Sequence, residues 1–148
     1  AQHCTPAQKK LLGVFDRWVL MAADVKSTGH DAWISGRSMP KDRWVIYRKR
    51  DQVLARAQDL IPNDLGHAPR LGKSGAVTGD AKTNYLDCQN IKAAGGIITS
   101  HTYFLGRQLT KNPTMAGAFQ QMMRCERVST AKLKPHTRPT GAKGAWKV

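Results

Sequence analysis

Arg43-Trp44-Val45-Ile46-Tyr47-Arg48-Lys49-Arg50, running on through Asp51-Gln52-Val53-Leu54-Ala55-Arg56-Ala57-Gln58-Asp59-Leu60-Ile61, is the stretch on which the reading of the fold turns. Its first eight positions hold two aromatics, two β-branched residues and four cations, so it joins a piece of core to an edge that faces a polyanion. It admits two conformations: a short strand from Trp44 to Tyr47 leading into a helix, or one helix from Pro40 to Ile61. At helical spacing Ile46, Val53, Leu54, Ala57, Leu60 and Ile61 share a face, with Arg48, Asp51, Gln52, Ala55, Gln58 and Asp59 opposite. That pattern favours helix from about residue 46 onward.

Outward from this stretch the chain reads as helix and loop. Thr5-Pro6 supplies a cap and a first-turn proline. Behind it Leu11, Phe15, Trp18, Ala22 and Val25 make one stripe, with Lys10, Asp16, Arg17 and Asp24 on the other side, so the spacing predicts an amphipathic helix over 6–26. Lys26 to Asp31 and Ser35 to Pro40 read as loops. From Pro62 to Gly96 glycine, proline and asparagine interrupt any period. A run of that length without structure is uncommon in a compact domain unless it lies against something else. Ile97 to Leu105, β-branched and aromatic between Gly96 and Gly106, has the composition of a strand. Asn112-Pro113 repeats the cap-plus-proline start, and Met115, Ala118, Phe119, Met122 and Cys125 line a face running to about Val128. The expected fold is therefore mainly α: a helical body over 1–61 and an amphipathic helix over 112–128, giving two or three amphipathic helices in all. Long irregular basic extensions complete it, an arm or loop over 62–111 with room for one short strand and a basic tail over 129–148.

The charge balance is the informative total. The 148 residues hold 24 Lys and Arg against 10 Asp and Glu, a formal +14 with pI near 10.2. Such a field attracts nucleic acid, anionic lipid or an acidic protein surface. The tail carries Lys132, Lys134, Arg138, Lys143 and Lys147 with no acid, two prolines and two glycines, a composition that does not fold alone in water. The longest uncharged apolar run, Trp18 to Ala23, is too short to span a membrane. Three widely spaced cysteines, Cys4, Cys88 and Cys125, do not make a disulfide framework and favour a reducing compartment. The chain opens on Ala, as a trimmed protein or a fragment would.

Signatures of catalysis are weak. Gly72-Lys73-Ser74 resembles the end of a phosphate-binding loop, but Gly66 stands too far upstream and Pro69 intervenes. His3-Cys4 is the one adjacent pair of potential metal ligands; His30, His67, His101, His136, Cys88 and Cys125 are scattered, whereas structural zinc sites use close-spaced pairs. No nucleophile-elbow motif or paired-carboxylate signature is present. The sequence thus predicts no enzyme, no metal, no cofactor and no small-molecule substrate.

What remains is basic–aromatic recognition. Arg43, Arg48, Lys49 and Arg50 centrally, and Lys132, Lys134, Arg138, Lys143 and Lys147 in the tail, are the candidate nucleic-acid-binding residues, holding phosphates with little base specificity. Trp44 and Tyr47 either stack on bases or anchor the edge in the core. The expected function is a structural RNA-binding component of a large ribonucleoprotein, a ribosomal protein in contact with rRNA and neighbouring subunits. The mitochondrion is its expected location, with the cytoplasm as alternative. The competing expectation is an accessory subunit of a respiratory or ATP-synthase complex that staples its neighbours through Trp33, Tyr85, Phe104 and Trp146.

Overall fold

The protein is an α/β fold, which overturns the mainly helical expectation. The computed structural model describes residues 15–35, 40–60, 68–91, 97–136 and 139–148. Strands β1 (Arg17–Met21), β2 (Asp42–Tyr47), β3 (Thr83–Asp87), β4 (Lys134–Pro135) and β5 (Gly144–Lys147) form one mixed sheet in the order β1-β2-β3-β5-β4. The first four neighbours in that order are parallel, and only β4, on the outer edge, runs antiparallel. Helices α1 (His30–Ile34), α2 (Gln52–Leu60), α3 (Leu71–Ser74), α4 (Ile97–His101), α5 (Gly106–Thr110) and α6 (Pro113–Met123) lie in the connections.

The error came from the period. Residues 6–14 of the expected first helix lie outside the described residues, but Arg17–Met21 is strand. Trp18 and Leu20 pack on one sheet face, Val19 and Met21 on the other. A parallel strand with both faces covered reads as a continuous apolar run, not as alternation, and Trp18 to Ala23 is such a run. For the central stretch the first of the two conformations is realised: strand to Tyr47, then helix from Gln52. Asp51 caps that helix, its Oδ1 accepting the Leu54 N–H at 3.0 Å.

Two further expectations are corrected. Ile97–His101 is helix, its β-branched residues overruled by tertiary contacts: Ser100 Oγ accepts the Gln52 N–H at 2.9 Å, and Arg48 donates to the Ser100 carbonyl at 2.8 Å. The glycine-rich middle and the basic tail, expected as extensions, supply β3, β4 and β5, and β3 lies at the centre of the sheet. The helix expected after Asn112-Pro113 is α6.

The core has two layers. On one face Trp44, Ile46, Leu86, Cys88 and Trp146 meet Met115, Ala118 and Met122 of α6, together with Tyr103. On the other, Val45, Tyr47, Tyr85 and Ala145 meet Ile34 of α1 and Leu71 of α3. His30 is buried there with Nδ1 2.7 Å from the Ser27 carbonyl and Nε2 2.7 Å from the Tyr85 hydroxyl. Burial holds the imidazole below its ordinary value and the phenol above its own. The neutral ring therefore donates from Nδ1 and accepts the Tyr85 proton at Nε2.

Gly72-Lys73-Ser74 has a structural role in the fold. A Cβ on Gly72 would sit 2.2 Å from the Ala23 nitrogen. The bare backbone there bonds both strands: Gly72 N–H to Ala23 O at 2.9 Å, and Arg48 N–H to Gly72 O at 2.9 Å. The segment clasps the carboxyl ends of β1 and β2.

Candidate nucleic-acid interface

The sheet sorts the candidate cations into interior and rim. Arg43 is 1% exposed; it donates to the Pro40 carbonyl at 2.6 Å and to Asp80 at 2.9 Å. Arg48 is 5% exposed, donates to the Ser100 and Ile91 carbonyls, and lies 5.7 Å from the Tyr103 ring centroid. Both are held by the protein's own groups, so the surface available to phosphate does not include them. Trp44 and Tyr47 are likewise core residues. Arg138 lies outside the described residues.

Lys49, Arg50, Lys132 and Lys134 are exposed, and Lys147 is half-buried. Lys49 and Arg50 follow the carboxyl end of β2, and Lys147 ends β5. The antiparallel register sets Lys134 directly opposite Lys147. At roughly 4.8 Å per strand, the rim from β2 to β4 spans about 14 Å. Among the described residues none of these cations has a carboxylate within ion-pair distance.

Five of the described acids are held by internal partners, and one of them, Asp87, stands in cross-strand register with Lys147. Asp42 holds Arg17 at 2.6 Å, Asp80 holds Arg43, Asp24 holds Arg70 at 3.0 Å, Asp51 holds His101 at 2.8 Å and Asp87 lies 3.2 Å from His136. Internal pairing thus takes up five of the ten acids, and among the described residues none of them pairs with a rim cation. Helix α2 adds no anion site, because its first N–H groups already bond Ser100 and Asp51.

At the opposite rim, by the amino ends of the strands, an open cleft of about 520 Å³ lies on the α6 face of the sheet. The cross-sheet register places Trp44, Asn84 and Gly144 in one row. The bare Gly144 makes room for an indole: a Cβ there would stand 2.1 Å from the Trp146 ring, which folds back over it. Trp44 and Trp146 then meet with centroids 5.6 Å apart and planes 30° apart. Trp44 Nε1 is fixed on Asp42 at 3.2 Å. The facing wall is the loop after α6, carrying Arg127 and Thr130, and Arg17 pins it by donating to the carbonyls of Gln121, Met122 and Glu126 at 2.8–2.9 Å. Lys143 stands at the mouth. The sequence pattern marked Lys143 but not this cleft; the signal for it was the Gly144-Ala145-Trp146 spacing, which puts an aromatic over a glycine on one strand face.

Among the described residues no group of three or more His, Cys, Asp or Glu could hold a metal ion, and no helix is long and apolar enough to cross a membrane. No family model, curated protein or solved structure matches the chain.

Proposed function

We propose that the protein is a structural RNA-binding component of a large ribonucleoprotein, a ribosomal protein of the mitochondrion, with the carboxyl rim of its sheet as the phosphate-facing surface. The observation that carries this reading is the Lys134–Lys147 pair. A lysine on an edge strand guards against edge-to-edge aggregation, and Lys134 alone would do that. A second lysine directly opposite is destabilising in the free protein. A polyanion laid along the rim reverses the sign of that interaction, and Lys49, Arg50 and Lys132 extend the same field. The ribosomal setting and the compartment rest on composition.

The stapling alternative has less support. Tyr85 is fully buried in its own core, Trp146 packs on Trp44, Trp33 lies edge-on to Trp18 at 5.8 Å and Phe104 edge-on to Tyr103 at 5.2 Å. These four aromatics are engaged within the chain.

Binding to structured RNA across a salt series tests the proposal, with Lys132, Lys134 and Lys147 all changed to Ala in the variant. The wild-type affinity should fall steeply with salt, and the slope should flatten in the variant by about 0.7–0.9 for each phosphate that is no longer neutralised. Absence of binding at moderate salt, or an unchanged slope in the variant, sinks it.

A further inference from the structure

The cleft at the amino rim has no part in the phosphate-facing rim, and it differs from that rim in chemistry. The rim offers charge alone. The cleft combines a flat aromatic wall, a polar amide in its floor and cations at its mouth.

Asn84 is 3% exposed, and its Nδ2 donates to the Arg43 carbonyl at 3.4 Å. Among the described residues its Oδ1 and second amide proton have no partner. The residue lines the cleft, so it presents an acceptor beside a donor there. An asparagine amide in that state complements the edge of a nucleobase, which offers a ring nitrogen and an exocyclic group side by side. The Trp146 indole N–H likewise has no partner among the described residues.

The charge at the mouth has one sign. Among the described residues Asp42 is the only carboxylate in the lining, and Arg17 neutralises it. Arg127 and Lys143 are exposed and have no ion pair among the described residues. The volume lies within the range of sites that enclose a small ligand.

The geometry points to a binding site for one nucleotide unit: the base on Trp146 and against Asn84, the phosphate between Arg127 and Lys143. The base does not enter between the two indoles. A ring sandwiched there would need about 7 Å between their planes, and the centroids are 5.6 Å apart. Stacking therefore engages one indole face and not two, with the base edge toward Asn84. The source is either an unpaired nucleotide of a bound RNA or a free mononucleotide, since both present the same base and phosphate.

The test is quenching of intrinsic tryptophan fluorescence in the full chain by adenosine monophosphate, by a short single-stranded RNA and by inorganic polyphosphate of matched charge. Saturable quenching by the mononucleotide assigns the cleft to free nucleotide as well as RNA; saturable quenching by the single strand alone assigns it to RNA. In either case Arg127→Ala, a change on an exposed loop, should weaken the quenching ligand about tenfold. Trp146→Phe should remove most of the signal change and weaken binding by about the same factor. The inference is overturned if polyphosphate quenches as well as the nucleotides, if nothing quenches, or if Arg127→Ala leaves the affinities unchanged. Running the same titrations on the Lys132, Lys134 and Lys147 variant separates the two sites. Loss of RNA affinity there with mononucleotide quenching intact is expected, whereas rim binding without quenching retains the proposed function and discards the cleft.

Discussion

A cation in this chain either holds the fold or faces outward, and the two kinds differ in how much stability a substitution costs. Arg43→Met leaves Asp80 without the guanidinium that neutralises it, and should lower stability by about 3–5 kcal/mol in denaturant unfolding. Lys49→Ala, on the exposed turn after β2, should change it by less than about 0.5 kcal/mol. His30 adds a pH dependence with a definite sign. Its folded value lies below the ordinary 6.5, so the unfolded chain takes up the proton first. The stability that the neutral ring confers is complete above pH 6.5 and is lost as pH falls toward the folded value. His30→Phe should be less stable at neutral pH, and the difference between wild type and variant should shrink on acidification through that window. The abundance of cations was legible in the sequence, and so was their grouping. Which of them were interior was not, because Arg43 and Arg48 find their acceptors at Asp80, Ile91 and Ser100, between 37 and 52 residues away.

At the scale of elements, the glycines show where backbone replaces side chain. Gly72→Ala drives a methyl group into the Ala22–Ala23 backbone, where β1 cannot yield without losing its register on β2. A loss of about 1–3 kcal/mol or more is expected in thermal or denaturant unfolding. Gly144→Ala should displace the Trp146 ring and alter its fluorescence. Helix α6 was readable from its Asn-Pro start and its Met115, Ala118 and Met122 face. The strands were not. Thr83-Asn84-Tyr85-Leu86-Asp87 has three polar residues in five, yet all five are buried, each polar side chain holding at least one internal hydrogen bond. Thr83 Oγ1 donates to Asp80 at 2.9 Å, Asn84 to Arg43, and Asp87 Oδ1 accepts the Gln89 N–H at 2.9 Å. Nothing local announces a central strand of that composition.

For the whole molecule, the tail belongs to the body. Strand β5 pairs with β3 along its full length, and Trp146 and Val148 pack in the core. Removing residues 129–148 should therefore abolish cooperative unfolding, as circular dichroism on heating would show, so the RNA surface has to be tested by point substitution. The same connectivity governs how the fold is reached. Arg17 of β1 closes on the carbonyl of Met122, 105 residues later, and β3 waits some sixty residues for β5. Contacts so distant along the chain must overcome loop-closure entropy before they contribute anything, which makes folding slow. Until β5 docks, the open edge of β3 is free to pair with another chain. This protein's vulnerable moment is thus during folding, when a waiting strand edge is all that separates the native sheet from aggregation.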